Sequence, residues 1–392
     1  MPQPPFDLIV FGATGFTGRL VAEYLFKTYG VGGPVAWALA GRNLDKLAAV
    51  RREIGAPDAL PLRQADAANP AALAALVAQA RVVLSTVGPY QLHGEPLLRA
   101  CADAGTDYVD LCGEPLWMAR MIARHEDAAR ASGARVVFSC GFDSIPFDLG
   151  VLMLQREAQA RFGRPAQRVA GRVRRMKGRF SGGTAASLKA TLAAAKSEPG
   201  VYDLLRSPFA LTPGFEGPKQ PSGHKPMLDE LLGVWVAPFV MAAINTRNVH
   251  RSNFLLGHAY GADFVYDEMV VAGHGDKGEA TARAMAADDS LAADDGPKPG
   301  DGPSKQERDS GFYDLLFVGR TTAGETLRVA VSGDRDPGYG STSKMIGEAA
   351  VCLQRDAADT PGGIWTPAAA MGTRLITRLQ QHAGLKFDVE PT

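Results

Sequence analysis

Short apolar runs alternate with amphipathic stretches along the first third of the chain. The apolar runs have the length and composition of strands buried on both faces of a parallel sheet: Phe6–Phe11, Val35–Ala40, Arg81–Val87, Tyr108–Leu111 and Arg135–Cys140. Apolar residues recur at helical spacing between them: Arg19–Thr28, Leu44–Ile54, Ala71–Gln79, Glu95–Ala104 and Leu116–Ala131. This alternation predicts a Rossmann-type doubly wound α/β domain over residues 1–145.

The pattern changes after residue 145. A helix is predicted over Asp148–Arg161 and another over Ala185–Ala195, and strand candidates then come close together: Arg168–Arg179, Asp263–Ala272, Phe312–Val318 and Glu325–Val331. Residues 146–335 are therefore expected to form an α+β substrate domain with a largely antiparallel sheet. Residues 273–311 predict a flexible loop that ends in a short helix with Ser304 and Glu307 as a capping box. Residues 336–392 predict C-terminal helices.

Composition and charge restrict the classes of protein that fit. Lysine plus arginine number 42, as do aspartate plus glutamate, so no global field draws the chain to nucleic acid. The four cysteines form no CxxC pair and no zinc-like spacing with histidine, and no metal site is indicated. A reduced, cytoplasmic setting fits them, and the first residues lack the segments of a signal peptide.

A glycine-rich turn follows the first predicted strand and opens the first helix. The turn consists of Gly12, Ala13, Thr14, Gly15, Phe16, Thr17 and Gly18. Gly12 permits the tight turn, Gly15 lets the backbone approach a pyrophosphate, and Gly18 lets the helix pack on the strand. The pyrophosphate would lie at the helix N-terminus, so the motif predicts a dinucleotide site.

The residues after the second strand favour NADP(H) over NAD(H). An acidic residue there would bind the ribose hydroxyls of NAD, but the chain has Arg42 and, one turn later, Lys46, which suit a 2′-phosphate. The alternative is that Arg42 is a solvated charge at a helix start. Asp66 could contact the adenine or cap a helix. Gly88 and Pro89 follow the predicted strand Arg81–Val87 and are expected to line the nicotinamide ribose.

Several motifs together resemble the saccharopine dehydrogenase-like oxidoreductases, within them the branch of the trans-acting enoyl reductases. The motifs are Phe11–Gly18, Val87–Tyr90, Tyr108–Glu114, Cys140–Gly150, Ser181–Thr184, Pro337–Gly340 and Gly362–Pro367. The resemblance implies an NADP-type domain, an α+β substrate domain and C-terminal helices that pack back on the first domain. For the enoyl reductase branch it also implies reduction of an enoyl thioester on a polyketide or fatty acyl chain, in lipid and glycolipid synthesis.

Enoyl reduction needs a proton donor and a hydrogen-bond donor to the thioester oxygen in addition to the cofactor. Tyr90 and Ser144 are the hydroxyl candidates near the carboxyl edge of the sheet. Asp143 could orient a ligand, and the alternative is that it caps the helix that follows. Cys112 and Gly113 are assigned to the cofactor site.

Two segments of the second domain invite further hypotheses. The apolar run Leu231–Ile244 predicts a buried helix or turn, and alternatively an acyl pocket or a contact with the inner face of the plasma membrane, because it contains Trp235, Phe239 and Met241. The basic strand from Arg172 to Arg179 is either a solvated sheet face or a contact for an acyl carrier or an anionic lipid.

Three functions stay open on this reasoning. The first is an NADPH-dependent reductase of an enoyl, acyl or lipid-linked substrate, either a small molecule or carrier-linked. The second is an amino- or imino-acid dehydrogenase of the saccharopine type. The third is a non-catalytic NADP(H)-binding protein associated with a membrane or lipid. A peripheral membrane contact and a homodimer both stay open, and no nucleic-acid partner is expected.

Overall fold

The computed structural model describes residues 3–178, 198, 201–288 and 302–391, and its first part is a sheet wrapped by helices. The strands are β1 (Phe6–Phe11), β2 (Trp37–Gly41), β3 (Leu62–Gln64), β4 (Ala80–Ser85), β5 (Asp107–Asp110) and β6 (Arg135–Val137). The helices are α1 (Phe16–Tyr29), α2 (Leu44–Glu53), α3 (Pro70–Val77), α4 (Tyr90–His93), α5 (Glu95–Ala104) and α6 (Pro115–Ser132). These strands pair in parallel in the order β6-β5-β4-β1-β2-β3, which confirms the predicted doubly wound sheet.

The second part carries a mixed, mostly antiparallel sheet. Its strands are β7 (Arg168–Lys177), β8 (Met227–Asp229), β9 (Val234–Pro238), β10 (Val265–Gly273), β11 (Phe312–Arg320) and β12 (Thr326–Gly333). The accompanying helices are α7 (Ile145–Phe162), α8 (Val201–Arg206), α9 (Ala242–Leu255), α10 (Gly275–Ala286) and α11 (Lys305–Asp309). Only β7 and β10 pair in parallel among the described strands of this sheet, so the predicted α+β class is confirmed.

The C-terminal segment joins both sheets. It forms α12 (Thr342–Arg355), β13 (Gly363–Trp365), α13 (Pro367–Arg378) and β14 (Leu385–Glu390). Strand β13 extends the parallel sheet beside β6, and β14 extends the second sheet beside β12. Helix α12 packs on β1, β4 and β5. The segment therefore contributes a strand to each sheet as well as helices.

A buried carboxylate ties this segment to the first helix. Glu348 of α12 is fully buried and accepts hydrogen bonds from the hydroxyls of Tyr24 (2.5 Å) and Tyr29 (2.6 Å). Arg378 of α13 donates to the same carboxylate at 3.0 Å. Burial and the carboxylate raise the pKa of both tyrosines, so both hydroxyls stay protonated donors.

Helix α7 links the two sheets. Most of its residues are buried, and it packs against β11, β12 and α13. A Cβ atom on Gly150 would lie 2.3 Å from the Phe317 ring, so only glycine lets the helix approach β11 this closely. Buried residues of both sheets belong to one hydrophobic cluster, and Val234, Val236 and Met269 of the second sheet form a separate small one.

The structure corrects two expectations about secondary structure. Residues 273–311 were predicted as a loop, but α10 lies within them, and Gly278 serves packing: a Cβ atom there would lie 2.3 Å from the Gly273 carbonyl oxygen. The capping box at Ser304 and Glu307 is confirmed. The run Leu231–Ile244 is not one helix or turn, because it contains β9, a turn and the first residues of α9.

Two further points concern the predicted elements. The helix predicted over Ala185–Ala195 and the Ser181–Thr184 motif lie outside the described residues. Within the described part of the chain, no helix combines the length and the apolar character needed to cross a membrane.

Candidate functional site

The glycine turn between β1 and α1 has the geometry that a dinucleotide requires. Gly12 has a φ of +88°, and a Cβ atom there would lie 2.7 Å from Val87 Cγ2. A Cβ on Gly18 would lie 2.2 Å from the Gly12 carbonyl oxygen, so the turn closes onto the helix only with glycine at both positions. Gly15 is the N-cap of α1, and no side chain caps this end. The N-terminus of α1 is therefore open to an anion.

The second strand ends at two exposed cations. Arg42 and Lys46 are both exposed, and neither side chain has a hydrogen-bond or ion-pair partner among the described residues. Asn43 caps α2 by accepting a bond from the Lys46 amide at 2.9 Å, which leaves the Arg42 guanidinium unused by the helix start. These cations fit a 2′-phosphate, and no acidic side chain takes the place of Arg42.

Asp66 does not cap a helix. Its Oδ1 accepts a bond from the amide of Ala68 at 3.0 Å within a turn, whereas Asn69 caps α3. The cap expectation is wrong because the helix begins three residues later than Asp66 would require. A contact between Asp66 and adenine stays a prediction.

The loop after β4 is held by a buried tyrosine and a buried glutamate. The Tyr90 hydroxyl donates to the Ser85 carbonyl at 3.1 Å and accepts from the Leu111 amide at 3.0 Å. The Glu114 carboxylate accepts from the amides of Tyr90 (2.9 Å) and Gln91 (2.8 Å). Burial raises the pKa of Tyr90, so its hydroxyl fixes the loops after β4 and β5 and its proton is already engaged.

The residues after β5 divide into buried supports and an open backbone. Cys112 is fully buried, and burial raises the pKa of its thiol, so the thiol packs in the loop. Of the described atoms, a Cβ atom at Gly113 would meet only Ile244 Cγ2, at 4.0 Å, which leaves room for a ligand beside the backbone. Asp110, which the sequence reasoning missed, accepts bonds from the amides of Cys112 and Ser139, both at 3.0 Å, and links the two loops.

The turn after β6 places Asp143 and Ser144 at the same edge of the sheet. Helix α7 begins at Ile145, and Asp143 makes no side-chain cap bond, so the cap expectation for Asp143 is wrong. The Asp143 Oδ1 atom is buried without a partner among the described residues, and burial raises the pKa of this carboxyl to about 7. Ser144 is fully buried, and its Oγ accepts from Asn248 Nδ2 at 2.8 Å.

A cavity of about 1630 Å³ lies in the second domain. Its wall includes Phe239 from the turn after β9, Ala243 and Thr246 from α9, and Tyr266 and Glu268 from β10. Because Ile244 of α9 contacts the Gly113 position, the first turn of this helix lies between the cavity and the carboxyl edge of the parallel sheet.

Glu268, Asn245 and Asn248 were not predicted from the sequence. Asn245 Nδ2 donates to Glu268 Oε2 at 2.9 Å, and the Tyr266 hydroxyl donates to Oε1 at 2.8 Å. Spacing offers a faint signal, since Asn245 and Asn248 share one face of a helix at three residues apart. Their partners come from β10 and from the turn after β6, which only the tertiary structure brings together.

Part of the basic strand is buried, and the apolar run has the buried side chains that were predicted for it. Arg172 is buried and forms ion pairs with Asp229 (2.6 Å) and Asp267 (3.0 Å), so the solvated-face expectation is wrong for it. Phe239 and Met241 are also buried, which contradicts a membrane contact through these two side chains. Arg179 lies outside the described residues.

The class of the protein follows from the fold and the sequence of the first domain. Residues 8–137 match the family model of the saccharopine dehydrogenase NADP binding domain. Saccharopine dehydrogenase (L-Glu forming) of Saccharomyces cerevisiae has a similar fold, with a TM-score of 0.56 at 11% identity over 98% of this chain and 100% of that chain. The chain is thus an NADP(H)-dependent oxidoreductase with the saccharopine dehydrogenase fold.

Full-length relatives narrow the class further. One relative, from Mycobacterium tuberculosis, is 40% identical to this chain over 402 residues, which cover 95% of each chain. It carries the provisional name of a trans-acting enoyl reductase. Trans-acting enoyl reductases of Mycobacterium bovis and Mycobacterium ulcerans are each 36% identical, over 95% and 97% of this chain and 95% and 96% of theirs. The chain belongs to the trans-acting enoyl reductase branch of the saccharopine dehydrogenase-like family.

Proposed function

We propose that this protein reduces the carbon–carbon double bond of an enoyl thioester on a fatty acyl or polyketide chain. The observation that carries the proposal is the cavity of about 1630 Å³ in the second domain, whose wall contains residues of α9, the helix that also meets Gly113 at the carboxyl edge of the parallel sheet through Ile244. Pockets for small ligands have volumes of roughly 300–1,000 Å³, so this cavity has room for a long acyl chain. The names of the mycobacterial relatives support the same chemistry.

The residues of the chain divide the work between the two domains. The glycine turn, Arg42 and the backbone at Gly88 and Gly113 would hold NADPH, which supplies a hydride when bound. Phe239 and its neighbours would hold the acyl chain and exclude water from the reacting carbons. Such positioning provides much of the rate enhancement in this class of reaction.

The cavity wall is also compatible with a carrier-linked substrate. Arg175 and Lys219 line the cavity and are exposed, a placement that would suit the phosphate of a carrier arm. A peripheral membrane contact at the inner face of the plasma membrane would bring the protein to lipid substrates, and liposome flotation tests it. Flotation of wild type that Trp235→Asp abolishes would support the contact.

Substrate panels test the proposed function. We expect purified protein to oxidise NADPH with enoyl thioesters, and turnover to increase from short to long acyl chains because the cavity buries more apolar surface. Glutamate with 2-oxo acids is the control panel for amino-acid dehydrogenase chemistry. Turnover with that panel alone would contradict the proposal, as would tight NADPH binding without oxidation by any acceptor.

A further inference from the structure

Glu268 occupies an unusual place for a carboxyl group. It lies on β10, is 1% exposed, and lines the cavity beside Tyr266. A Cβ atom on Gly171, its neighbour on β7, would lie 3.1 Å from Glu268 Cγ and 2.8 Å from the Tyr266 hydroxyl. Glycine on the adjacent strand therefore leaves the space in which the carboxyl group lies.

The hydrogen bonds around Glu268 contain more acceptors than donors. Both of its oxygens accept bonds, from Asn245 Nδ2 at 2.9 Å and from the Tyr266 hydroxyl at 2.8 Å. Three neighbouring oxygens are buried without any partner among the described residues: Asn245 Oδ1, Asn248 Oδ1 and Asp143 Oδ1. A buried acceptor without a donor is destabilising, so a proton on the carboxyl group of Glu268 or of Asp143 would reduce the excess of acceptors.

The surrounding charges keep that proton on Glu268. Burial, with repulsion from Asp267 and Asp143, raises the pKa of Glu268 to about 8 despite the two hydrogen bonds. The Asp267 carboxylate, next to Glu268 along β10, pairs with Arg168 and Arg172. These two cations bind Asp267, and neither forms an ion pair with Glu268 among the described residues.

Helix α9 presents two further titratable groups to the cavity. Arg247 donates to the carbonyls of Leu205 and Ala243, and it stays charged although burial lowers its pKa to about 10. Burial and Arg247 lower the pKa of His250 to about 3, so this imidazole is neutral. No cation among the described residues lies within ion-pair distance of Glu268.

We propose that Glu268 is the catalytic acid that protonates the α-carbon of the reduced acyl chain, with Asn245 and Asp143 as positioning residues. The inference rests on the proposed enoyl reduction. After the hydride has reached the β-carbon, the electron pair of the resulting enolate takes the proton from the Glu268 carboxyl. An O–H bond breaks, a C–H bond forms at the α-carbon, and the carboxylate regains a proton from solvent.

The two hydroxyl candidates fit this step less well. The Tyr90 hydroxyl donates to the Ser85 carbonyl, so its proton is engaged in the loop. Ser144 is fully buried behind α9, bonded to Asn248. Glu268 instead combines a cavity-facing position with a proton that is held at neutral pH and released above it.

Infrared spectroscopy on the substrate-free protein tests the held proton. The difference spectrum of wild type minus Glu268→Gln should show a carboxylic acid C=O stretch at neutral pH that disappears as the pH rises through about 8. The matched control Glu279→Gln, at an ion-paired side chain on the surface of α10, should leave that band in place. Absence of the band from the difference spectrum at neutral pH would overturn the inference.

Product analysis in D₂O tests the transfer itself. Wild type should place one deuterium at the α-carbon in a single configuration. Glu268→Gln should bind NADPH as wild type does, reduce the acceptor at least about 100-fold more slowly, and give both configurations. Because glutamine is neutral and nearly isosteric with protonated glutamate, we expect the variant to fold. The pH dependence of the wild type tests the role of Glu268 without any substitution, since kcat should fall above pH 8.

The outcomes separate the two proposals. A Glu268→Gln enzyme that keeps the wild-type rate and a single configuration would overturn the role of Glu268 while enoyl reduction stands. A wild type that reduces no enoyl thioester would overturn the proposed function, and with it the identity of the carbon that Glu268 protonates.

Discussion

Replacement of Arg42 by alanine tests the choice of cofactor most sharply. The side chain is exposed at the end of β2, has no partner among the described residues, and does not cap α2, because Asn43 does so. The variant should therefore leave the fold and the helix start intact. What it removes is a cation at the position that binds the 2′ group of the adenine ribose.

The magnitude follows from the exposure of this group. A hydrogen bond to a charged partner contributes about 1.5–3 kcal/mol, and an exposed guanidinium lies at or below the lower end because water screens it. A loss of about 1–1.5 kcal/mol corresponds to roughly 5–12-fold weaker NADPH binding at 1.4 kcal/mol for each tenfold. NADH lacks the phosphate, so its binding should barely change.

Fluorescence titration with both nucleotides measures the difference. Arg52→Ala is the matched control, since it removes an exposed arginine from the other end of α2. It should alter NADPH binding only through the weak long-range field, whose effect salt removes. Equal losses for NADPH and NADH in Arg42→Ala, or equal losses in the two variants, would refute the role of Arg42.

Two further predictions concern the architecture. In Gly18→Ala the new Cβ atom would lie 2.2 Å from the Gly12 carbonyl oxygen. Calorimetric titration should therefore find NADPH binding weakened at least about tenfold, and chemical denaturation should find the free energy of unfolding lowered by roughly 1–3 kcal/mol. Unchanged NADPH binding would contradict the role given to Gly18 in the turn. Glu348→Gln should lower the free energy of unfolding by about 2–3 kcal/mol. This loss is below the usual range for breaking a buried ion pair because Arg378 keeps a second carboxylate partner, Asp356, at 2.8 Å. The control is Asp359→Asn, which breaks an exposed ion pair with Arg374 and should lower the free energy of unfolding by under about 1 kcal/mol. Equal losses in the two variants would refute the stabilising role of the buried Glu348 carboxylate.

The sequence predicts the first domain well because its signals are local. Buried strands such as Phe6–Phe11 are apolar throughout, and the amphipathic helices between them have clear periods. β3 and β13 have three residues each, too few for a period to be recognised, and β13 pairs with β6 across more than 200 residues of chain. Non-local pairing of this kind leaves no local pattern.

The candidate site shows the same division. Gly12, Gly18 and Arg42 could be predicted as cofactor-binding residues because a turn and its cofactor follow one motif. Glu268 could not be predicted in this way, because its candidate role depends on three features that are distant in sequence. These are Gly171 on the neighbouring strand, Asn245 on α9 and the cavity that Glu268 lines. A lone glutamate in a strand carries no such information in the sequence.

Transfer of a deuterium label from NADPH tests most directly whether this protein reduces an enoyl thioester. NADPH carrying deuterium at the transferable position of the nicotinamide is incubated with wild-type protein and an enoyl thioester, and the saturated product is analysed by mass spectrometry and NMR. Reduction by this protein predicts one deuterium at the β-carbon of the product. Recovery of unreacted enoyl thioester with the label still on the nucleotide, while NADPH binds tightly, would contradict the account.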